Sequence, residues 1–418
     1  MIAVPRRSVE LPWPRRIAAV IQERAMVAYN PFSEEVMADP FPIYRRLRDE
    51  APVYRLANHP CWALSRFEDV WNASLDAKSF SVAGGTTPSQ LLTKAQPVTP
   101  MINSMDPPAH TSMRAQLRPF FAPARIRELE PTIRKLFSDA LDEMVEKGGG
   151  DLVGDFGTRV ALKVASIVSG IPLEDGEMLY RLVQRFFAHE EGVDGMSPDG
   201  IKAWTEMFEY FAALAARRRA QGTAGADPLD VLIDFESDGR RLEDIEIASH
   251  MSLFLIGGSE TFPKVFANLA RRLFEHPDQR AAVAADPGLA PDAMIEALRY
   301  DMPTQFLGRT VVKDVELHGE KLRAGEVVLF LYASANRDPR EFRDPDTFDI
   351  ARRPPRILSF GHGTHACLGI HTAKAEGRIA LEELLRRDPE YGIDLAGAER
   401  LRTEFVQGFA RLPVRLRA

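Results

Sequence analysis

Between Ala124 and Lys147 the apolar residues Ile126, Leu129, Ile133, Leu136, Phe137, Leu141 and Met144 recur at steps of three and four, the spacing that lines one face of an α-helix. Gly148-Gly149-Gly150 ends the run, as glycine commonly does after a helix. The same period marks segments at about 157–169, 176–190, 200–221, 228–236, 242–275, 278–285, 291–300 and 369–386, separated by Gly- and Pro-bearing loops. Short apolar runs, Val53-Tyr54 and Trp62-Ala63-Leu64, flank Asn58-His59-Pro60 and predict a hairpin over Pro52 to Arg66. Strand character returns at Arg309 to Val312, Glu316 to Leu322, Val327 to Phe330 and Arg402 to Leu416. The pattern predicts a mainly α chain with small, peripheral β-sheets. No Ser/Gly linker, low-complexity tract or repeat divides it, which favours a single domain.

Composition adds exclusions. The 418 residues are 45% hydrophobic and 27% charged, ordinary globular values. A net charge of -7 gives no overall basic field for nucleic acid. No apolar run approaches the roughly 20 residues that cross a bilayer. The N-terminal stretch carries Arg6, Arg7, Arg15 and Arg16 around Trp13 without a signal-like apolar core. A cytoplasmic protein is expected, with residues 1–27 as an extra helix or arm. Only Cys61 and Cys367 are present, so neither a disulfide framework nor a four-cysteine zinc or iron–sulfur site is available.

The chemistry gathers at Phe360-Gly361-His362-Gly363-Thr364-His365-Ala366-Cys367-Leu368-Gly369, just before the helical segment Ile370 to Leu385. Glycines let backbone approach a flat ligand, and a loop that runs into a helix N-terminus offers N–H groups to a desolvated thiolate. A lone cysteine is ordinarily buried and inert, as Cys61 is expected to be. Zinc held by His362, His365, Cys367 and His371 is a competing reading, but it lacks the paired-cysteine spacing of structural zinc.

Three further constellations stand upstream. Glu296 and Arg299 lie three apart on one helix face and can pair. Gly257-Gly258-Ser259-Glu260-Thr261, followed by Pro263, stands at the centre of the 242–275 helix, about 50 Å long if continuous. Proline frees the Ser259 carbonyl, and Thr261 can bond back toward Gly257 O, so a kink or bulge is expected. His110 and Arg114, four apart at the start of a helix, place two cations on one face, which repel unless an anion bridges them. Each pattern alone has a bland reading: a solvated charged face, or a helix bent for packing.

Together they resemble the cytochromes P-450. The Cys367 segment matches the family's haem loop Phe-Gly-x-Gly-x-His-x-Cys-x-Gly without departure, Glu296-x-x-Arg299 its Glu-x-x-Arg motif, and Gly258-x-Glu260-Thr261 its oxygen-activating acid–alcohol pair. Phe262 stands where a second threonine is often found. The resemblance implies a single-domain cytochrome P-450 fold over residues 28–418, haem b as cofactor, and Cys367 as the axial ligand of the iron. It implies that Phe360 packs beside the sulfur, that Gly361, Gly369 and Gly258 allow close approach to the cofactor, and that His110, Arg114, Arg309 and His365 neutralise the haem propionates. Arg352 would join Glu296 and Arg299 in a structural trio. Thr261 and Glu260 would deliver protons during insertion of one oxygen atom of dioxygen into a hydrophobic small organic substrate. The substrate pocket would draw on the loop Ser81 to Ile102, on Ile102, Ile256, Gly257, Thr261, Gln305 and Phe306, and on Val406 and Phe409. A chain this long has no room for a flavin or nicotinamide domain beside that fold, so electrons are expected from a separate ferredoxin and its reductase. That partner would dock on Arg118, Arg340, Arg343, Arg356 and Lys374. A peroxide-driven peroxygenase and a non-catalytic haem-binding sensor are the alternatives; the acid–alcohol pair counts against the first.

Overall fold

The computed structural model describes residues 27–57, 59–92, 99–187, 197–237 and 239–417. Nearly all of the 1–27 extension, the middle of the 81–102 loop and the last residues of the segment expected at 176–190 lie outside that set. Among the described residues the α-helices of seven or more residues are α1 Phe41–Glu50, α2 Phe67–Leu75, α3 Ala109–Leu117, α4 Pro123–Glu146, α5 Arg159–Ser169, α6 Gly176–Phe187, α7 Pro198–Gln221, α8 Pro228–Asp234, α9 Asp244–Ser259, α10 Thr261–Glu275, α11 Pro277–Ala285, α12 Ala290–Tyr300 and α13 Ile370–Arg387. Strands β1 Val53–Arg55, β2 Cys61–Leu64, β3 Phe80–Ser81, β4 Gly149–Asp151, β5 Leu307–Val311, β6 Val327–Phe330, β7 Gly392–Ile393, β8 Phe409–Arg411 and β9 Pro413–Arg415 build the main β part.

The apolar stripe of α4 is buried at Ile126, Ile133, Phe137, Leu141 and Met144. It shares a core with α5, α10, α12 and α13, where each fully buried Leu or Phe contributes about 1.5–3 kcal/mol. Outside that core, Arg134 pairs with Glu383 at 2.7 Å, and Arg387 pairs with Glu383 at 2.7 Å and with Asp142 at 2.8 Å, tying α4 to α13.

Residues 242–275, expected as one long helix, form two. The interruption falls at Glu260 (φ −96°, ψ −28°), between α9 and α10. Pro263 lacks the N–H that would bond to Ser259 O, and the expected kink is a one-residue interruption at Glu260, whose dihedrals stay in the right-handed helical region. The expected bond from Thr261 to Gly257 O does not form; the local helical bond is Glu260 N–H to Ile256 O, 3.1 Å.

The larger sheet has the order β1-β2-β6-β5-β3, with β2 and β6 parallel and the other pairs antiparallel. It was expected to be peripheral, but it carries a second core in which Leu47, Trp62, Leu64, Phe67, Phe306 and Phe330 are buried. Helices α1 and α2, which the periodicity did not single out, supply Leu47 and Phe67. The glycines that stop α4 also form β4, paired with β9. Among the described residues no helix is long and apolar enough to cross a membrane.

Candidate cofactor and active site

The Cys367 loop hangs between the sheet core and α13. Gly361 N–H bonds to Leu358 O at 2.9 Å and Cys367 N–H to Phe360 O at 2.7 Å, closing the loop on itself. Gly363 takes a left-handed φ of +71°, and a Cβ there would lie 2.5 Å from Ser74 O of α2. Only glycine lets the loop pack so closely on that helix. His362 stacks on Trp71 of α2, with ring centroids 3.5 Å apart. No cluster of three or more potential metal-ligating side chains occurs among the described residues, so the zinc reading of His362, His365, Cys367 and His371 finds no support.

Protein atoms crowd Cys367, yet its side chain reaches the surface. Burial pushes its thiol up, while the Gly369 backbone and the Arg114 charge pull the other way; the net direction is up. A metal ion coordinated by such a thiol would favour its deprotonated form. Phe360 lies against the large helical core, with Lys374 5.9 Å above its ring. Gly369 caps α13, and a Cβ there would meet nothing within 4 Å.

Beside the loop, α3 brings in His110 and Arg114, and β5 brings in Arg309. Arg114 donates to Ala366 O at 2.6 Å, binding α3 to the loop. The rings of His110 and His365 lie 4.1 Å apart. His110 Nδ1 and His365 Nε2 are buried without a partner. Burial, reinforced by Arg114, lowers His110 to about 4. Burial and the charges of His110, Arg309 and Arg114 lower His365 to about 3. The nearby Asp106 carboxylate is already engaged by Ser81 and by Val82 N–H at 3.1 Å. Four basic groups thus meet where anions are scarce, an arrangement suited to a ligand bearing carboxylates. Haem, with two propionates and an iron cation for Cys367, fits both halves of this site.

Glu296 and Arg299 form a doubly bonded, fully buried pair at 2.8 and 2.7 Å, and Arg352 joins Glu296 at 3.2 Å. Arg299 also bonds to the carbonyls of Asn336, Pro345 and Thr347. The trio stitches α12 to the segment that leads into the Cys367 loop.

The glycines of α9 divide differently from expectation. A Cβ on Gly258 would lie 2.8 Å from Ala165 Cβ of α5, so Gly258 serves helix packing and not cofactor approach. Gly257 is exposed, with nothing within 4 Å of an added Cβ. Neighbouring residues of a helix point about 100° apart, so the two cannot share a face. Thr261 opens α10 and is partly buried. Glu260 is paired with Lys264 four residues on, a partner the sequence reading missed although the spacing was legible.

Several pocket expectations change. Gln305, expected to orient a substrate, spends its amide on Met302 O (2.8 Å) and Pro303 O (3.1 Å), and its oxygen accepts from Tyr44. Phe306 is fully buried in the sheet core. Phe409 is buried in the helical core, with the guanidinium groups of Arg271 and Arg400 over its ring. All three pack the fold. Ile102 is buried, its N–H bonded to His250 Nδ1 at 3.2 Å; Ile256 is partly buried, and Val406 bridges to Thr304. Of the expected basic patch, Arg340 and Arg356 are engaged by Asp338 at 3.0 Å and Glu341 at 2.8 Å, and Arg343 by Asp344 at 3.4 Å. Arg118 and Lys374 are exposed cations without a carboxylate partner among the described residues.

A family model described as Cytochrome P450 matches residues 289–387. A Mycobacterium tuberculosis protein provisionally named cytochrome P450 123 is 39% identical over 395 residues, covering 93% of this chain and 97% of its own. A steroid C26-monooxygenase of the same species is 34% identical over 382 residues, covering 89% and 92%. Among solved structures, a cytochrome P450 from Chondromyces apiculatus superposes with a TM-score of 0.83 at 30% identity, covering 94% of this chain and 99% of that one. With full-length kinship, the same fold and a site that suits haem, the chain belongs to the cytochrome P450 family.

Proposed function

We propose that this P450 monooxygenase binds haem b, whose iron Cys367 would ligate and whose propionates His110, Arg114, Arg309 and His365 would hold. The observation that carries the reading is the meeting of four basic side chains beside the Cys367 loop, with two buried ring nitrogens lacking partners. When bound, the haem supplies dioxygen activation, which a thiolate ligand promotes. The chain's own residues do the rest. The Gly369 N–H and the Arg114 charge steady the sulfur's negative charge. At the break between α9 and α10, the Thr261 hydroxyl and the Glu260 carboxylate hold and pass protons. Gly257 leaves room on that face for reactants. Electrons come from a separate ferredoxin that meets the exposed Arg118 and Lys374. The substrate is a hydrophobic small organic molecule; a relative named for steroid oxidation supports that class.

The carbon monoxide difference spectrum of the reduced protein tests the ligand. The thiolate signature is expected in the parent chain and lost in Cys367→Ala, and an unchanged spectrum in that variant would sink the assignment.

A further inference from the structure

A charged pair lies at the junction of α9 and α10. Lys264 of α10 donates to Glu260, and the side chains are only 7% and 13% exposed. The lysine stem runs against Gly408, where an added Cβ would sit 2.8 Å from Lys264 Cβ and 2.9 Å from its Cγ. The C-terminal segment thus steers the stem from one side and the carboxylate fixes its tip. Residues four apart share a helix face, which puts Lys264 beside Glu260 across the helix break. Removing one partner of a largely buried charged pair leaves the other charge uncompensated. Among the described residues Lys264 is the cation paired with it.

We propose that Lys264 is a positioning residue for proton delivery: it holds the Glu260 carboxylate at the junction of α9 and α10, where Thr261 follows. The inference rests on the monooxygenase reading of Glu260 and Thr261. Infrared spectra of the haem-loaded protein test it without turnover. Lys264→Met is expected to show a new carboxylic-acid C=O band, absent from the parent, from Lys264→Arg and from the double variant Lys264→Met with Glu260→Gln. With substrate and electrons supplied, peroxide released per product should rise about tenfold in Lys264→Met, within the range one proton-transfer group contributes, and return to the parent value in Lys264→Arg. If Lys264→Met does not bind haem, Lys264→Gln carries the same test. Absence of the band, or a band with unchanged peroxide release, overturns the proposal. Full coupling in Glu260→Gln would overturn the proton-delivery reading itself, and the infrared band tells that failure from a failure of Lys264 alone.

Discussion

His365 and His110 show how a site can be built against its own residues. In the chain by itself both rings sit far below the ordinary histidine value, near 3 and 4, because burial and neighbouring cations disfavour the charged form. A group lowered in this way destabilises the fold as pH drops below about 6.5. A ligand that brings negative charge reverses the sign, since each ring then gains an acceptor. Losing a hydrogen bond to a charged group costs about 1.5–3 kcal/mol, about ten- to a hundredfold in a rate of loss. His365→Leu should therefore release haem to apomyoglobin about ten- to a hundredfold faster than the parent with its circular dichroism unchanged. An unchanged transfer rate would remove His365 from the propionate site.

At the scale of elements, the broken helix pair α9 and α10 does two jobs with adjacent residues. Gly258 lets α9 press on α5, and Gly257 keeps the next face free of side chain. Gly258→Ala forces a methyl against Ala165 and is expected to lower stability by about 1–3 kcal/mol, as overpacking does. Gly257→Ala meets nothing in the fold and relieves a glycine cost of up to about 1 kcal/mol in a helix. Its melting temperature should hold or rise while substrate-induced changes in the ferric absorption spectrum weaken. Thermal unfolding and optical titration of the two variants separate the roles; equal destabilisation by both would contradict them.

Across the whole molecule, ion networks join segments distant in sequence. Burial alone would raise the Glu383 carboxyl, but hydrogen bonds from Arg386, Arg134 and Arg387 outweigh it and hold the group down at about 2. A carboxyl held below its ordinary 4.5 contributes stability that is present above that pH and lost as pH falls toward 2. Glu383→Gln should be less stable than the parent at neutral pH, with the gap closing between about pH 4.5 and 2. Urea unfolding across that range measures it, and a pH-independent gap would assign the loss to packing.

The amphipathic helices, the β1–β2 hairpin, the Cys367 loop and the Glu296–Arg299 pair were legible in the sequence because each rests on local spacing: a 3.6-residue period, a turn, or residues three or four apart. What local spacing does not carry is which side of a residue meets another element. Gly257 and Gly258 are identical letters until α5 lies against one of them. Gln305, Phe306 and Phe409 have the character of pocket residues, but backbone carbonyls, the sheet core and two arginines claim them first. The second core went unread because its sheet joins β1 and β2 to strands more than 200 residues away. The reaction class is written along the chain, whereas the division of side chains between packing and chemistry is decided only where distant segments meet.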